Sequence, residues 1–359
     1  MKLLFEIERV SIEEGGAGKM LVWLANNFAD HGHEVIIFTH KKMTGKLFDI
    51  NPCVRIITKE PNGKLGYPVF DLRNVLKQER PDAIISFMLD SNLYCLSASI
   101  GLSIPVIVCE RNNPYINRPL KFKIVERLCR FADGATFQLE SARDYYSWLR
   151  CKTCVIPNPI IPSRYSTSKS FANRTNVICN SARLNFPQKR LDVLIKAFAI
   201  VLKSHPYMQL HLYGDGKDIS TAKNLVRSLA LEDNVVFKGL VKDPIQYIVD
   251  SKLFVLSSDF EGISNALAEA LAAGMTCIST DTEPGGSRLL IKEGENGYIV
   301  PRGDAETLAE KIIYCLDHPE VCDELSQKAI ENIKLFSEDK IYHKWETFVN
   351  EIVNDHKNR

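Results

Sequence analysis

Two glutamates and a small set of cations carry the chemistry available to this chain. Glu261 and Glu269 lie in the stretch 257–286, SSDFEGISNALAEALAAGMTCISTDTEPGG, with seven residues between them. Around Glu269, positions 265–273 hold only Asn, Ala and Leu. Such a segment is expected to be helical and largely buried, since it shows no polar stripe. A buried, unpaired carboxylate costs on the order of several kcal/mol, so Glu269 needs a definite partner. A ligand hydroxyl would serve, as would a backbone amide or an arginine of the chain itself, and both readings stay open. Ser264 is suited to cap the helix, and the free N–H groups after Glu261-Gly262-Ile263 make the helix start around Ser264 and Asn265 a natural anion site. Gly262 lets backbone approach a ligand closely.

The cations come from 181–190, SARLNFPQKR, where Arg183 follows a β-rich run and Lys189-Arg190 precedes an apolar helical pattern. Arg binds a diphosphate in bidentate fashion and Lys acts as a point charge, so this placement suits two linked phosphates. Glycine turns follow other β-rich runs: Gly214 in YGDG at 213–216, and Gly239 with Leu240 in GLV at 239–241. Near the N-terminus, 13–19 reads EEGGAGK. Its Gly15, Gly16 and Gly18 suit a backbone loop open to a ligand, but Glu13 and Met20 break a P-loop, and Leu21 breaks a dinucleotide fingerprint that starts at Gly16. At 107–114, IVCERNNP places Glu110, Arg111 and Asn112 at the end of a strand, as active-site groups or as a surface turn with a local ion pair. His31-Gly32-His33 reads as structural, with Gly32 closing a helix, so no metal site is assigned.

These residues need elements to position them. Strands are expected at 2–7, 34–39, 54–58, 83–87 and 106–109 in the first half, and at 177–182, 210–213, 235–238, 253–256, 276–280 and 298–300 in the second. Helical patterns such as 19–30, 70–79 and 191–202 alternate with them, which is the signature of parallel sheets covered on both faces. Ligands bind beyond the carboxyl ends of such strands. The chain has 359 residues, enough for two domains of roughly 150–200 residues each. The proline-rich 154–162, CVIPNPIIP, separates them. Domain one is expected at 1–160, domain two at 161–340, and a last helix at 341–359 that crosses back to the first domain or packs on its own.

Hydrophobic residues make up 45% and charged residues 25% of the chain, with 45 Lys and Arg against 44 Asp and Glu, so nothing points to a nucleic-acid partner. The ten cysteines are scattered. The one CxxC, at Cys151 and Cys154, lacks a second ligand pair, so reduced cytoplasmic thiols are the better reading. The N-terminus has too short an apolar run for a signal peptide, and no stretch offers about 18 apolar residues for a membrane span. The stretch 118–131, RPLKFKIVERLCRF, has five basic residues and one acidic among apolar ones. It reads either as a packed helix with a solvated basic face or as a contact with an anionic membrane.

The chain resembles the family 4 glycosyltransferases of the GT-B type. It has their two glutamates separated by seven residues at Glu261 and Glu269, their small-residue helix, and their Pro-Gly turn at Glu283-Pro284-Gly285-Gly286. It also has their Arg-Leu…Lys motif at Arg183 and Lys189, their Gly-Gly-Ala loop at 15–17, and their Pro-Asn pair at 157–158. Gly18 departs from the loop pattern, which more often has Glu there. The resemblance implies two facing Rossmann-like, doubly wound parallel-sheet domains with a central cleft, with the donor mainly on the second domain and the acceptor mainly on the first. By the same resemblance, Arg183 and Lys189 neutralise the leaving diphosphate, Glu261 and the backbone after it face the donor sugar, and Glu269 holds ribose hydroxyls. Gly15, Gly16, Gly214, Gly239 and Leu240 would line the donor, the last two beside the base. The 110–114 segment resembles transferases that extend lipid-linked oligosaccharides. Many relatives have a histidine there, and whether Glu110, Arg111 or neither takes its place is open.

The implied reaction moves a hexose or N-acetylhexosamine from a nucleotide diphosphate sugar, most simply a UDP-sugar, to a glycan hydroxyl with retention of configuration. No cofactor or metal is expected. The acceptor would be lipid-linked and the enzyme cytoplasmic, peripheral on the inner face of the membrane. A two-carboxylate glycosidase would need a matching acid, and none is identifiable. A sugar-nucleotide epimerase of the same fold and a non-catalytic nucleotide-sugar-binding subunit are the other readings.

Overall fold

The computed structural model describes residues 1–358 apart from 11–15, 42–47, 60–67, 112–113, 116–118 and 161–164. The chain forms two compact units, Met1–Asn158 with Asp339–Arg359, and Pro159–Glu338.

The first unit is built on a parallel sheet of β1 (Lys2–Ile7), β2 (Glu34–Thr39), β3 (Arg55–Thr58), β4 (Ala83–Ser86), β5 (Val106–Glu110), β6 (Gly134–Phe137) and β7 (Lys152–Val155), in the order β3-β2-β1-β4-β5-β6-β7. The central strands are mostly apolar and, apart from Lys2, buried, as strands covered on both faces must be. Two of these strands, β6 and β7, are not among those expected from the sequence. GATF opens on a glycine and KTCV runs straight into a proline-rich segment, so neither shows a strand pattern of useful length. A Cβ at Gly134 would lie 2.9 Å from the Ile352 side chain, so this glycine lets the last helix approach the sheet.

That helix, Glu338–Lys357, belongs to the first unit. Its apolar positions recur at helical spacing and bury Ile341, Tyr342, Trp345, Phe348, Val349, Ile352 and Val353. They share one core with Leu3, Phe5, Phe28 and Phe87.

The second unit holds β8 (Thr175–Ser181), β9 (Gln209–Tyr213), β10 (Val235–Gly239), β11 (Ser251–Leu256), β12 (Thr276–Thr280) and β13 (Tyr298–Val300), all parallel, in the order β10-β9-β8-β11-β12-β13. In each unit the strand order reverses once, between β1 and β4 and between β8 and β11. Loops diverge there to opposite faces, leaving a crevice at the carboxyl edge.

Candidate active site

In the second unit the two segments that follow the switch-point strands meet. β8 and β11 run side by side, with Ile178 beside Leu253 and Cys179 beside Phe254. After β8 the chain turns through the short helix Phe186–Lys189, which carries a proline in its first turn. After β11 it passes through Ser257, Ser258 and Asp259 to Glu261. The Lys189 ammonium donates to Glu261 Oε1, and the Ser258 hydroxyl donates to the same oxygen at 2.7 Å. The ion pair is sheltered, with side-chain exposures of 17% and 11%, so solvent screens it less than a surface pair. Glu261 Oε2 accepts no hydrogen bond among the described residues. Arg183 is exposed and makes no ion pair among them.

Backbone contacts stitch the two segments together. The Ser257 hydroxyl donates to the Lys189 carbonyl at 2.8 Å, the Asp259 N–H to the Gln188 carbonyl at 2.9 Å, and the Gln188 side-chain amide to the Phe260 carbonyl at 3.3 Å. On its far side, the Glu261 N–H donates to the Glu283 carbonyl at 2.9 Å. Gly286 presses so closely on this loop that a Cβ there would sit 1.6 Å from the Gly262 carbonyl oxygen. The Pro-Gly turn is thus a mould for the loop that carries Glu261, Gly262 and Ile263.

Ser264 caps the Asn265–Ala272 helix, its side chain accepting from the Leu267 N–H. The helix is less buried than its composition suggests. Leu267, Ala268, Ala270 and Leu271 are buried, whereas Asn265 is exposed and Ala266, Glu269 and Ala272 are half-buried. Asn265 and Glu269 therefore share a partly open face at i, i+4 spacing. Alanine reads as apolar wherever it stands, so hydropathy alone hides that stripe.

The glycine turns divide into two kinds. A Cβ at Gly214 would lie 2.0 Å from the Ala182 carbonyl, and one at Gly216 2.3 Å from the Leu184 carbonyl. Both glycines let the turn after β9 pack on the Ala182–Leu184 backbone, which carries Arg183. Gly239 has a φ of 70° with open space around it, and Leu240 beside it is 83% exposed, which leaves that edge available to a ligand.

In the first unit, Gly16 opens the Gly16–Asp30 helix, while Gly15 and Asn112 lie outside the described residues. Glu110 ends β5 and is buried, accepting from the Tyr146 hydroxyl at 2.7 Å; Glu126 accepts from that hydroxyl at 3.3 Å. The Arg111 guanidinium lies 5.0 Å from the Phe87 ring centroid and 5.2 Å from that of Trp345, and donates to the Ile156 carbonyl at 3.4 Å. Burial lowers its pKa, and its Nε and Nη2 find no hydrogen-bond partner among the described residues. Arg111 thus packs on the core aromatics and does not form part of a solvated surface turn. Among the described residues, no group of His, Cys, Asp and Glu stands close enough to share a metal ion.

Two family models match the chain in succession: Glycosyltransferase Family 4 over residues 14–164 and Glycosyl transferases group 1 over residues 164–334. The chain belongs to the family 4 glycosyltransferases. Its fold is of the GT-B type. This glycosyltransferase is 27% identical over 366 residues to a Campylobacter jejuni protein named as an α-1,4-N-acetyl-D-galactosaminyltransferase acting on an undecaprenol-diphosphate-linked glycan, and the match covers 99% of both chains. It is 32% identical over 203 residues to an exopolysaccharide phosphotransferase of Streptomyces coelicolor, covering 56% of this chain and 21% of that longer protein. Among solved structures, Anabaena HepE in complex with UDP superposes with a TM-score of 0.82 at 20% identity, covering 98% of this chain and 100% of that one.

The residues that sequence reasoning left unassigned in the glycosyltransferase are Ser258, which bonds Glu261, and Arg190 with Asp259, which pair at 2.8 Å. Arg190 was visible as a cation beside Lys189. Its partner, 69 positions away, was not.

Proposed function

We propose that this glycosyltransferase moves a hexose or N-acetylhexosamine from a nucleoside diphosphate sugar, most simply a UDP-sugar, to a hydroxyl of a lipid-linked glycan, with retention of configuration. The observation that carries this is the meeting of Lys189 and Glu261 at the β8/β11 switch point, in the segment that also carries the exposed Arg183. Cleaving the sugar–phosphate bond puts charge on the diphosphate. Lys189, held in advance by Glu261, and the cation at Arg183, with the N–H groups at the helix start after Ser264, lower the barrier by electrostatic stabilisation. In this reading the vacant Oε2 of Glu261 takes a sugar hydroxyl, and Glu269 takes the ribose hydroxyls from its partly open helix face. The acceptor proton passes to the departing phosphate, and no metal is needed. The UDP bound by HepE and the undecaprenol-linked glycan in the Campylobacter protein's name support the choice of donor and acceptor.

A peripheral position on the membrane follows from one surface. In the Leu120–Leu128 helix and the turn Cys129–Phe131, the exposed side chains are Leu120, Lys123, Ile124, Arg127, Arg130 and Phe131. Among the described side chains they form one stripe of apolar and basic groups with no acid, which suits contact with anionic lipid. Arg118 lies outside the described residues.

The test is nucleotide release from UDP-, GDP- and ADP-sugars, with and without a lipid-linked glycan extract, for the wild type and Glu269→Ala. Acceptor-dependent release of one nucleotide, lost in the variant, is expected. Donor binding without release under any acceptor would favour a non-catalytic subunit, and absence of donor binding would overturn the site.

A further inference from the structure

Arg190 stands between Lys189 and the Leu191–Val201 helix in the left-handed region, at φ 46° and ψ 45°. A side chain with a Cβ is disfavoured there, and such a conformation persists only where the surroundings impose it. The surroundings here are two carboxylates. Arg190 Nε donates to Asp192 Oδ1 at 3.1 Å and Nη2 to Asp192 Oδ2 at 3.3 Å, while Nη1 donates to Asp259 Oδ2 at 2.8 Å. These hydrogen bonds, to Asp192 first and then Asp259, push the guanidinium pKa up. Two acids engage all three nitrogens of this cation, which ties it to the protein first. Asp259 in turn ties the loop: its N–H reaches the Gln188 carbonyl, its carbonyl accepts from the Glu283 N–H at 3.0 Å and from Arg302 at 3.3 Å, and its Oδ1 is buried without a partner among the described residues. Arg190 supplies the only cation that Asp259 pairs with among the described residues.

We infer that Arg190 is a positioning residue for diphosphate recognition: by bracing Asp259 from its strained backbone, it holds the Lys189 and Glu261 segments at the spacing the leaving diphosphate needs. This rests on the donor reading above. Lys189 leaves the Phe186–Lys189 helix immediately before Arg190, and Glu261 lies two residues beyond Asp259, so this side chain adds a charged tie to the backbone contacts that join the two segments. Losing the brace frees each segment to shift, and a displacement of about 1 Å costs on the order of 100-fold in rate.

The experiment compares the binding of UDP and of uridine, by calorimetry, to the wild type and to Arg190→Gln, Arg190→Lys and Asp259→Asn, with thermal unfolding in parallel. Arg190→Gln and Asp259→Asn are expected to weaken UDP about tenfold and leave uridine within about twofold, because only the diphosphate contacts depend on the brace. Arg190→Lys, which keeps one ion pair, falls between. Equal losses for UDP and uridine would mean general loosening and overturn the inference, as would unchanged UDP affinity in Arg190→Gln. If the wild type binds no UDP, the same comparison is made with GDP and ADP against their nucleosides. A wild type that binds none of the three overturns the donor reading itself, and this inference with it.

Discussion

Glu261 and Lys189 show how a site is completed by neighbours that carry no chemistry of their own. Gly286 is the sharpest example, because what a Cβ would strike there is the Gly262 backbone and not the end of a flexible side chain. Gly286→Ala must therefore push the Glu261 loop aside. The expected result is a loss of about 1–3 kcal/mol in stability together with weakened UDP-sugar binding, read by thermal unfolding and calorimetry. An alanine variant with wild-type binding would show the loop to be free of the turn. At the same scale, Arg111 could be read from sequence as a strand-end cation, but its place against Phe87 and Trp345 could not. One of those aromatics lies far along the chain, and no local pattern announces it.

Among the elements, the Glu338–Lys357 helix has the most to lose from a single change. Trp345 is fully buried in the first unit's core, beside Phe87 and the Arg111 guanidinium. Trp345→Ala is expected to cost about 3–5 kcal/mol, measured by denaturant unfolding, since it removes a large core side chain. A second element-scale contact is sensitive to acid. Glu79, on the Pro68–Glu79 helix, pairs with Arg55 of β3 and Lys2 of β1, each at 2.6 Å. The hydrogen bonds from Arg55 and then Lys2 lower its pKa from 4.5 to about 2. A carboxylate whose folded pKa is depressed stabilises above its ordinary value and loses that contribution as pH falls through the folded one. The first unit should therefore weaken between pH 4.5 and about 2. In Glu79→Gln this part of the acid unfolding curve flattens, and an unchanged curve would dismiss the contact.

For the whole molecule, a net charge of +1 conceals a local basic surface. No helix among the described residues is long and apolar enough to cross a membrane. The Leu120–Phe131 stripe is the surface whose lipid contact can be tested. Sedimentation with vesicles containing phosphatidylglycerol is expected to capture the protein at about 0.1 M salt and release it near 1 M, as the Debye length shrinks from about 10 to 3 Å. Ile124→Asp should abolish capture, and equal binding to neutral vesicles would exclude the electrostatic account.

By itself the sequence determined the alternation of strands and helices and hence two parallel sheets. It also placed Arg183 just past a strand, Lys189 before the apolar helix that follows, and Glu261 in the loop between a strand and a helix, because periodicity and strand length are local properties of the chain. Only the tertiary structure decided that Lys189 meets Glu261 across 72 positions, that Arg190 braces Asp259, that Glu269 sits on a partly open helix face, and that the last helix fills the first unit's core. Each of these depends on which distant segments the sheet order brings together. That order follows from packing apolar faces across the whole unit, and no short stretch of residues encodes it.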